Sequence, residues 1–455
     1  MAKNGEHRLM YIKRKIDDAL LDWKNDPGHK PLLLRGARQT GKTTAVRHLA
    51  ESFDHYVEIN FEKNVRIRDA FSGDLDVREI VAQIEYQFGI PVVPGKTLVF
   101  FDEIQECPRA ISSLRFFCEE MRSLHVAAAG SLLEFVFDDL SDFGVGRIRN
   151  LFVHPLSFAE FAEAVGSGLV LDRAREASFD EPLPEVAHAR LLGVLKSFLI
   201  VGGMPAAVLR YVETGSYLAA QREQDDILVS LKDDFGKYKT RISPDVVRRA
   251  LTAVARQTCE KFVYTDSALG LKYAQTKNAV ELLERARIVL AADCTRAGGI
   301  PLGGDVNEKS RKCMLLDTGL YLRESGLDMP EWATDPPERF VNRGKLAEMF
   351  AGLELKKSGS PLSDNRLFYW HREAKDANAE VDYVVQLGDE ILPIEVKSGK
   401  RGTMKSLGIL MREKGLRRAV RTSEENFGRI AGGAICVLPL YFVGELDRFL
   451  LDSAP

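Results

Sequence analysis

The segment Gly36-Ala37-Arg38-Gln39-Thr40-Gly41-Lys42-Thr43 constrains the fold more than any other stretch of the sequence. It has the spacing G-x-x-x-x-G-K-[ST], follows the apolar run Lys30–Arg35, and opens the helical pattern Ala45-Val46-Arg47-His48-Leu49-Ala50. A strand, a glycine loop and a helix in that order turn backbone N–H groups and a positive helix end toward one point, where phosphate charge is stabilised. Gly36, Ala37, Arg38, Gln39, Thr40, Gly41, Lys42, Thr43 and Thr44 are therefore read as a nucleotide cradle. Lys42 would neutralise the β- and γ-phosphates and Thr43 would ligate Mg²⁺, so ATP and Mg²⁺ are the expected cofactors.

The second half of such a site is Leu98-Val99-Phe100-Phe101-Asp102-Glu103. Four apolar residues predict a buried strand, with two carboxylates at its carboxyl end, where open α/β sheets bind ligands. Asp102 would hold the metal, and Glu103 would orient or deprotonate the attacking water. A plain pair of helix-capping carboxylates is the alternative, and the neighbouring glycine loop argues against it. Ser131, after the run Val126–Ala129, is a candidate polar sensor or a simple N-cap. Arg147 is a candidate transition-state arginine, acting in its own chain or from a neighbouring subunit; Arg109, Arg115 and Arg149 compete for that role.

Further short apolar runs at Tyr56–Phe61, Thr97–Phe101 and Ile148–Val153, separated by helical stretches, predict a parallel α/β sheet within residues 1–200. The remainder is read as a helical and winged-helix region, 201–330, and a third domain, 338–455, joined through Thr334-Asp335-Pro336-Pro337. In the middle region Ser243-Pro244 starts a helix to about 257. Thr265–Leu269 is a short helix candidate, Thr276 caps another helix, and Ile288–Ala291 pairs with Cys313–Leu316 as a hairpin. Lys272, Lys277, Asn278 and Arg285 would face nucleic-acid phosphates and bases, or the region serves only packing.

In the third domain, Phe340–Lys356 reads as a helix. Strands are expected at Leu367–Trp370, Val381–Leu387, Ile391–Lys397, Arg418–Arg421 and Ala434–Val437, with a helix at Thr403–Lys414. With Gly388-Asp389 as a two-residue turn, Asp382 falls opposite Glu395 and Glu380 opposite Lys397, all on one face of the hairpin. Facing carboxylates beside a lysine match what a Mg²⁺-dependent phosphodiesterase needs, with Glu348 adding a carboxylate from the preceding helix. A solvated face with cross-strand salt bridges is the other reading.

With 455 residues, 45% hydrophobic and 28% charged, the chain has room for about three domains of ~150 residues. A formal net charge of -3 excludes a wholly cationic nucleic-acid binder but leaves room for a local basic surface. The six cysteines form no Cys-x-x-Cys pair or Cys/His cluster, which fits a reducing compartment and argues against a structural zinc. The N-terminal residues lack an apolar signal region, and the longest apolar stretch, Ala434–Val443, is about half of the ~20 residues a membrane span needs. A cytoplasmic protein away from membranes is expected.

The segments LLLRGARQTGKTT, LVFFDEIQECP, AAGSLLEF, HPLSFAEF, VGGMPAAV, LLDTGLYL, GKLAEMF, FYWHREAKDANAEVDYVV and LPIEVKSGK together resemble one family. It comprises prokaryotic AAA-type ATPases with a C-terminal domain of unknown function that has a restriction-endonuclease-like fold. The resemblance implies an α/β protein: a P-loop AAA+ type ATPase core, a helical and winged-helix region, then an endonuclease-like α/β domain. It implies Glu348, Asp382, Glu395 and Lys397 as a nuclease-like site, active or inherited. It also implies DNA or RNA as a partner and a homo-oligomer. The functional expectation is an ATP-hydrolysing switch or motor on nucleic acid. The alternatives are an ATP-gated nuclease and a nucleotide-dependent interaction scaffold.

Overall fold

The computed structural model describes residues 11–131, 133–137, 146–237, 242–327, 344–372, 378–397 and 404–451. The expected linker Thr334–Pro337 and the start of the expected helix at Phe340 lie outside them. The chain divides into two compact units, residues 1–153 with 208–215, and residues 154–207 with 216–455.

In the first unit, β1 (Leu32–Arg35), β2 (His55–Asn60), β3 (Thr97–Asp102), β4 (His125–Ala129) and β5 (Arg149–Phe152) form one sheet in the order β2-β3-β4-β1-β5. All neighbouring pairs are parallel. Alternation along the strands supplies two cores. Leu33, Val99, Phe101, Val126 and Ala128 pack on one face, and Leu32, Leu34, Leu98, Phe100, Ala127 and Leu151 on the other. Burial on both faces is why the central strands β1, β3 and β4 read as apolar runs, whereas the edge strand β2 alternates. The crossover order puts the carboxyl ends of β1, β3 and β4 side by side, and the loops leaving those ends carry the phosphate loop, Asp102-Glu103 and Gly130-Ser131.

The second unit opens with helices, among them Phe158–Ala164, Glu185–Val201 and Tyr217–Asp233. Ser157 and Glu160 form a reciprocal capping box at the first of these. Several of the segments that carry the family resemblance meet here. Leu156 N–H donates to Gly203 O at 2.7 Å, Gly203 N–H to Asp317 Oδ2 at 2.5 Å, and Phe158 N–H to Glu354 Oε2 at 3.1 Å. Their role in this unit is to satisfy buried backbone groups, which explains why such distant segments have such defined residue types.

The middle helices run Pro244–Arg256 and Tyr273–Arg285. Two expectations need correction. Residues 265–269 form no helix but a turn closed by the Asp266–Leu271 bridge, with the Asp266 carboxylate accepting from Leu269 N–H. Thr276 is not an N-cap: it lies inside the helix, and its hydroxyl donates back to Lys272 O. The hairpin strands are longer than expected, β6 (Val289–Thr295) and β7 (Val306–Leu315), and antiparallel.

Strand β6 also pairs, in parallel, with β8 (Leu367–Arg372), and β9 (Ala379–Val381) completes a sheet in the order β7-β6-β8-β9. Strands from both sides of the expected 330/338 boundary thus share one sheet. A second sheet runs β10 (Tyr383–Leu387), β11 (Glu390–Val396), β12 (Ala419–Ser423), β14 (Ile435–Pro439) and β13 (Gly428–Ile430) in spatial order. The expected single strand 381–387 is broken at Asp382, with β9 and β10 in different sheets. Trp370, Val381, Val384, Ile391, Leu407 and Ala419 form a core common to both sheets. Helices Gly344–Ser358 and Lys405–Lys414 match the expected ones within a few residues.

Candidate functional site: the phosphate loop and the carboxylate cluster

The phosphate loop leaves β1 and turns through Gln39 (φ 63) and Gly41 (φ 91) before the helix Lys42–Ala50 begins. The Gly41 conformation is one that favours glycine. Thr40 is buried and donates to Ala37 O at 2.9 Å, while Arg14 reaches Thr40 O at 3.2 Å from ahead of the first helix. Lys42 Nζ donates to Gly36 O at 2.9 Å and to Ala37 O at 2.7 Å, so the ammonium lies within the curl of the loop. Arg38 is half-buried, and Gln39 and Thr44 are exposed.

Thr43 Oγ1 donates to Asp102 Oδ1 at 3.0 Å, and Asn60 Nδ2 donates to Asp102 Oδ2 at 3.0 Å. A hydroxyl and a carboxylate oxygen in contact are the hard donors that Mg²⁺ takes together with phosphate oxygens, so these residues fit a Mg²⁺–nucleotide. Glu103 takes left-handed backbone angles (φ 49, ψ 46), and its Oε2 accepts from Gln105 Nε2 at 2.6 Å. Among the described residues Gln105 Oε1 is buried with no hydrogen-bond partner, and it points at Gly130, where a Cβ would stand 2.3 Å from it. Gly130 is therefore the space into which Gln105 fits. Asn60, Gln105 and Arg14 escaped the sequence reading. Asn60 ends a strand and Gln105 lies two residues past Glu103, but only the sheet order and the turn bring them to the carboxylates.

Ser131 is half-buried at the carboxyl end of β4, on the sheet edge that also carries Asp102 and the phosphate loop. Arg147 lies elsewhere. Arg149 is in register with Leu32 at the start of β1, so Arg147 is at the amino end of the sheet, about 13 Å or more from the loop at ~3.3 Å per residue. It is paired with Glu119. Arg149 pairs with Asp26 at 2.9 Å, and Arg109 bonds to Phe71 O and Gly73 O.

In the second unit, the β10–β11 ladder has the expected register up to Tyr383–Ile394 and stops there. Asp382 Oδ2 accepts from Val396 N–H at 2.8 Å, and Glu395 Oε1 accepts from Lys397 Nζ at 2.5 Å. Glu380 does not face Lys397: it sits on β9 opposite His371. It pairs instead with Lys312 of β7 at 2.7 Å, and Lys312 also donates to Glu348 at 2.7 Å. Of the four residues expected on one hairpin face, Glu395 is buried, while the Glu380 and Lys397 side chains are 38% and 24% exposed. Burial and the Asp382 charge push Glu348 up to about 8 and Glu395 up to about 7, against the pull of Lys312 and Lys397. Burial also raises Asp382. Burial opposes the charge on Lys312, but Glu348, Glu380 and Asp382 hold it firmly protonated. The cluster thus brings the Lys312 ammonium into contact with the carboxyl groups of Glu348 and Glu380. Among the described residues, no group of three or more His, Cys, Asp or Glu side chains is arranged to hold a metal. None of the described helices is long and apolar enough to cross a membrane.

Comparison with known proteins agrees with the first unit. Residues 28–162 match the family described as an AAA domain. Residues 193–331 and 343–442 match two domains of unknown function, DUF8612 and DUF4143. No curated protein matches the chain. Among solved structures, the chain is similar to the Walker-type ATPase PABY2304 of Pyrococcus abyssi at 14% identity, covering 69% of this chain and 96% of that one, with a TM-score of 0.41. The Aeropyrum pernix ORC1 protein, solved in complex with DNA, gives 14% identity, 71% and 94% coverage, and a TM-score of 0.28. Cdc6p from Pyrobaculum aerophilum gives 14%, 69% and 94%, and 0.26. TM-scores this low add nothing to the functional reading. Residues 28–162, which carry the parallel sheet and the phosphate loop, thus match the AAA domain family, and the α/β structure after them matches two families of unknown function.

Proposed function

We propose that the chain is a Mg²⁺-dependent, ATP-binding and ATP-hydrolysing AAA-type ATPase that works as a switch or motor on nucleic acid. The observation that carries the proposal is the 3.0 Å contact of Thr43 with Asp102, between the buried Lys42 and the seated Glu103. In this reading Lys42 and the loop N–H groups hold the phosphates, and Thr43 and Asp102 hold Mg²⁺, with Asn60 fixing the second Asp102 oxygen. The metal, when bound, supplies charge neutralisation at the phosphates. Glu103 accepts a proton from the attacking water. Ser131 senses the nucleotide from the end of β4. Arg147, at the far end of the sheet, serves a neighbouring subunit of a homo-oligomer rather than its own site.

The nucleic-acid part rests on the middle region read as a winged helix. Lys272, Tyr273, Lys277 and Asn278 are exposed along the start of one helix, giving cations for phosphates and a ring for stacking. Lys277 is 3.9 Å from Glu281, which moderates its charge. Residues 338–455 are read as endonuclease-like from the β10–β11 hairpin with Asp382, Glu395 and Lys397 at its base.

The test is phosphate release with Mg²⁺, with and without single- and double-stranded DNA and RNA. Glu103→Gln should bind ATP and lose turnover, and Lys42→Ala should lose binding. Nucleic acid should accelerate the wild type, and a Lys272→Glu/Lys277→Glu double variant should lose that acceleration. Full turnover by Glu103→Gln would refute the base assignment. A rate indifferent to nucleic acid would refute the substrate class.

A further inference from the structure

A Mg²⁺-dependent strand-cutting site needs several oxygen ligands converging on one empty point at ~2.0–2.1 Å. In the C-terminal carboxylate cluster the chain itself supplies a cation to two of the carboxylates, Glu348 and Glu380. Lys312 comes from β7, far from the cluster in sequence, and its ammonium sits 2.7 Å from Glu348 and 2.7 Å from Glu380. The face of Tyr369 covers it at 5.1 Å, a further contact that favours a cation. Asp382 Oδ2 accepts from Val396 N–H and Glu395 Oε1 from Lys397 Nζ, while Glu395 Oε2 is buried with no hydrogen-bond partner among the described residues. We infer that this cluster is organised around the internal ammonium of Lys312 in place of a divalent cation, so that the endonuclease-like part holds its carboxylates as a structural joint and cuts nothing.

The physical argument is one of space and charge. A fixed buried ammonium repels a divalent ion brought within a few ångströms, in surroundings where screening is weak. Its side chain is 0% exposed, and Lys312 lies in the run Arg311–Leu315 of β7 that is paired with β6. The same contact joins three elements: β7, the helix Gly344–Ser358 and β9. A lysine reaching in from the middle hairpin thus performs the task that a metal performs in an active site of this pattern, neutralising converging carboxylates, without offering a Lewis acid or a bound water. This inference does not depend on the ATPase reading.

The test is Mn²⁺ binding by the full chain without nucleotide, read from the loss of the free-ion resonance signal. An Asp102→Asn background removes the metal ligand at the phosphate loop. That background should bind no Mn²⁺ in the micromolar range. Adding Lys312→Gln should create a site with at least tenfold tighter binding, and adding Asp382→Asn to that variant should abolish the gain. Binding by the Lys312-intact background that Asp382→Asn removes would overturn the inference, and so would a folded Lys312→Gln variant that gains no site. If Lys312→Gln does not fold, the comparison of the background with and without Asp382→Asn decides: Asp382-dependent binding overturns the inference, and its absence upholds it.

Discussion

Gly130 is the residue whose replacement tests how the hydrolytic carboxylate is held. A Cβ there would stand 2.3 Å from Gln105 Oε1 and 3.0 Å from Leu133 Cδ2, so Gly130→Ala forces the Gln105 side chain away. Gln105 then cannot donate its 2.6 Å bond to Glu103. A hydrogen bond to a charged group contributes about 1.5–3 kcal/mol. If that orientation counts fully in the transition state, kcat falls about 10- to 150-fold, at 1.36 kcal/mol per tenfold. ATP affinity should stay within about twofold, because no phosphate-loop group moves. Gln105→Ala should produce the same loss by deleting the donor. The decisive measurement is the double variant. With Gln105 truncated the new methyl meets only the Leu133 side chain, at 3.0 Å, and no longer acts on Glu103, so Gly130→Ala/Gln105→Ala should be within about twofold of Gln105→Ala alone. Steady-state phosphate release, with nucleotide affinity from a fluorescent analogue, reads all four proteins. Multiplicative losses in the double variant, or a Gly130→Ala enzyme at wild-type rate, would refute the reasoning.

Thr43→Ala should leave the fold intact and raise the Mg²⁺ concentration needed for half-maximal turnover by at least tenfold, because the hydroxyl facing Asp102 is lost; an unchanged Mg²⁺ titration excludes Thr43 as a metal ligand. Asp317 accepts from Leu320 N–H at 2.9 Å and Gly203 N–H at 2.5 Å, so Asp317→Ala removes a helix cap and a charge-assisted bond. A loss of about 2–4 kcal/mol in urea unfolding should follow, with Asp317→Asn retaining roughly half, and a loss under ~1 kcal/mol would contradict it. Glu284 is pushed by burial from 4.5 up to about 7, more than the facing Arg311 lowers it. The folded carboxyl therefore holds its proton more tightly than the unfolded one, and its contribution to stability is complete below 4.5 and lost as pH rises through 7. Glu284→Gln should flatten the decline in stability across that window, by on the order of 2–3 kcal/mol at most, and an unaltered pH profile would count against the burial argument.

The nucleotide half of the molecule was legible because its signals are local. Backbone N–H groups that must point at phosphate require glycines at fixed spacing, and a sheet buried on both faces requires unbroken apolar strands, so residues 32–43 and 98–103 state their structure directly. The family resemblance added Ser157, Gly203 and Asp317, whose structural role as caps and backbone acceptors emerged from their contacts. The hairpin register around Gly388-Asp389 was also correct as far as Tyr383, because turn length fixes register.

Where the charges end up depends on long-range packing. Glu380 and Lys397 share a face in an ideal hairpin, but the break at Asp382 sends β9 into another sheet, and no local rule foretells which sheet a strand joins. Gln105 and Asn60 reach Glu103 and Asp102 through a left-handed turn and a strand crossover. Arg147 lies at the wrong end of the sheet for its own phosphate loop, a fact set by parallel pairing rather than by its neighbours in sequence. Lys312 is the extreme case: an ordinary lysine in a polar-looking strand, it becomes the buried cation of a carboxylate cluster because long-range packing closes over it. Local residue patterns were enough to mark the glycine loop and the strands of the first sheet. The tertiary structure decided the partner of each charge, because electrostatic partners are chosen by distance in space and by what is left to screen them.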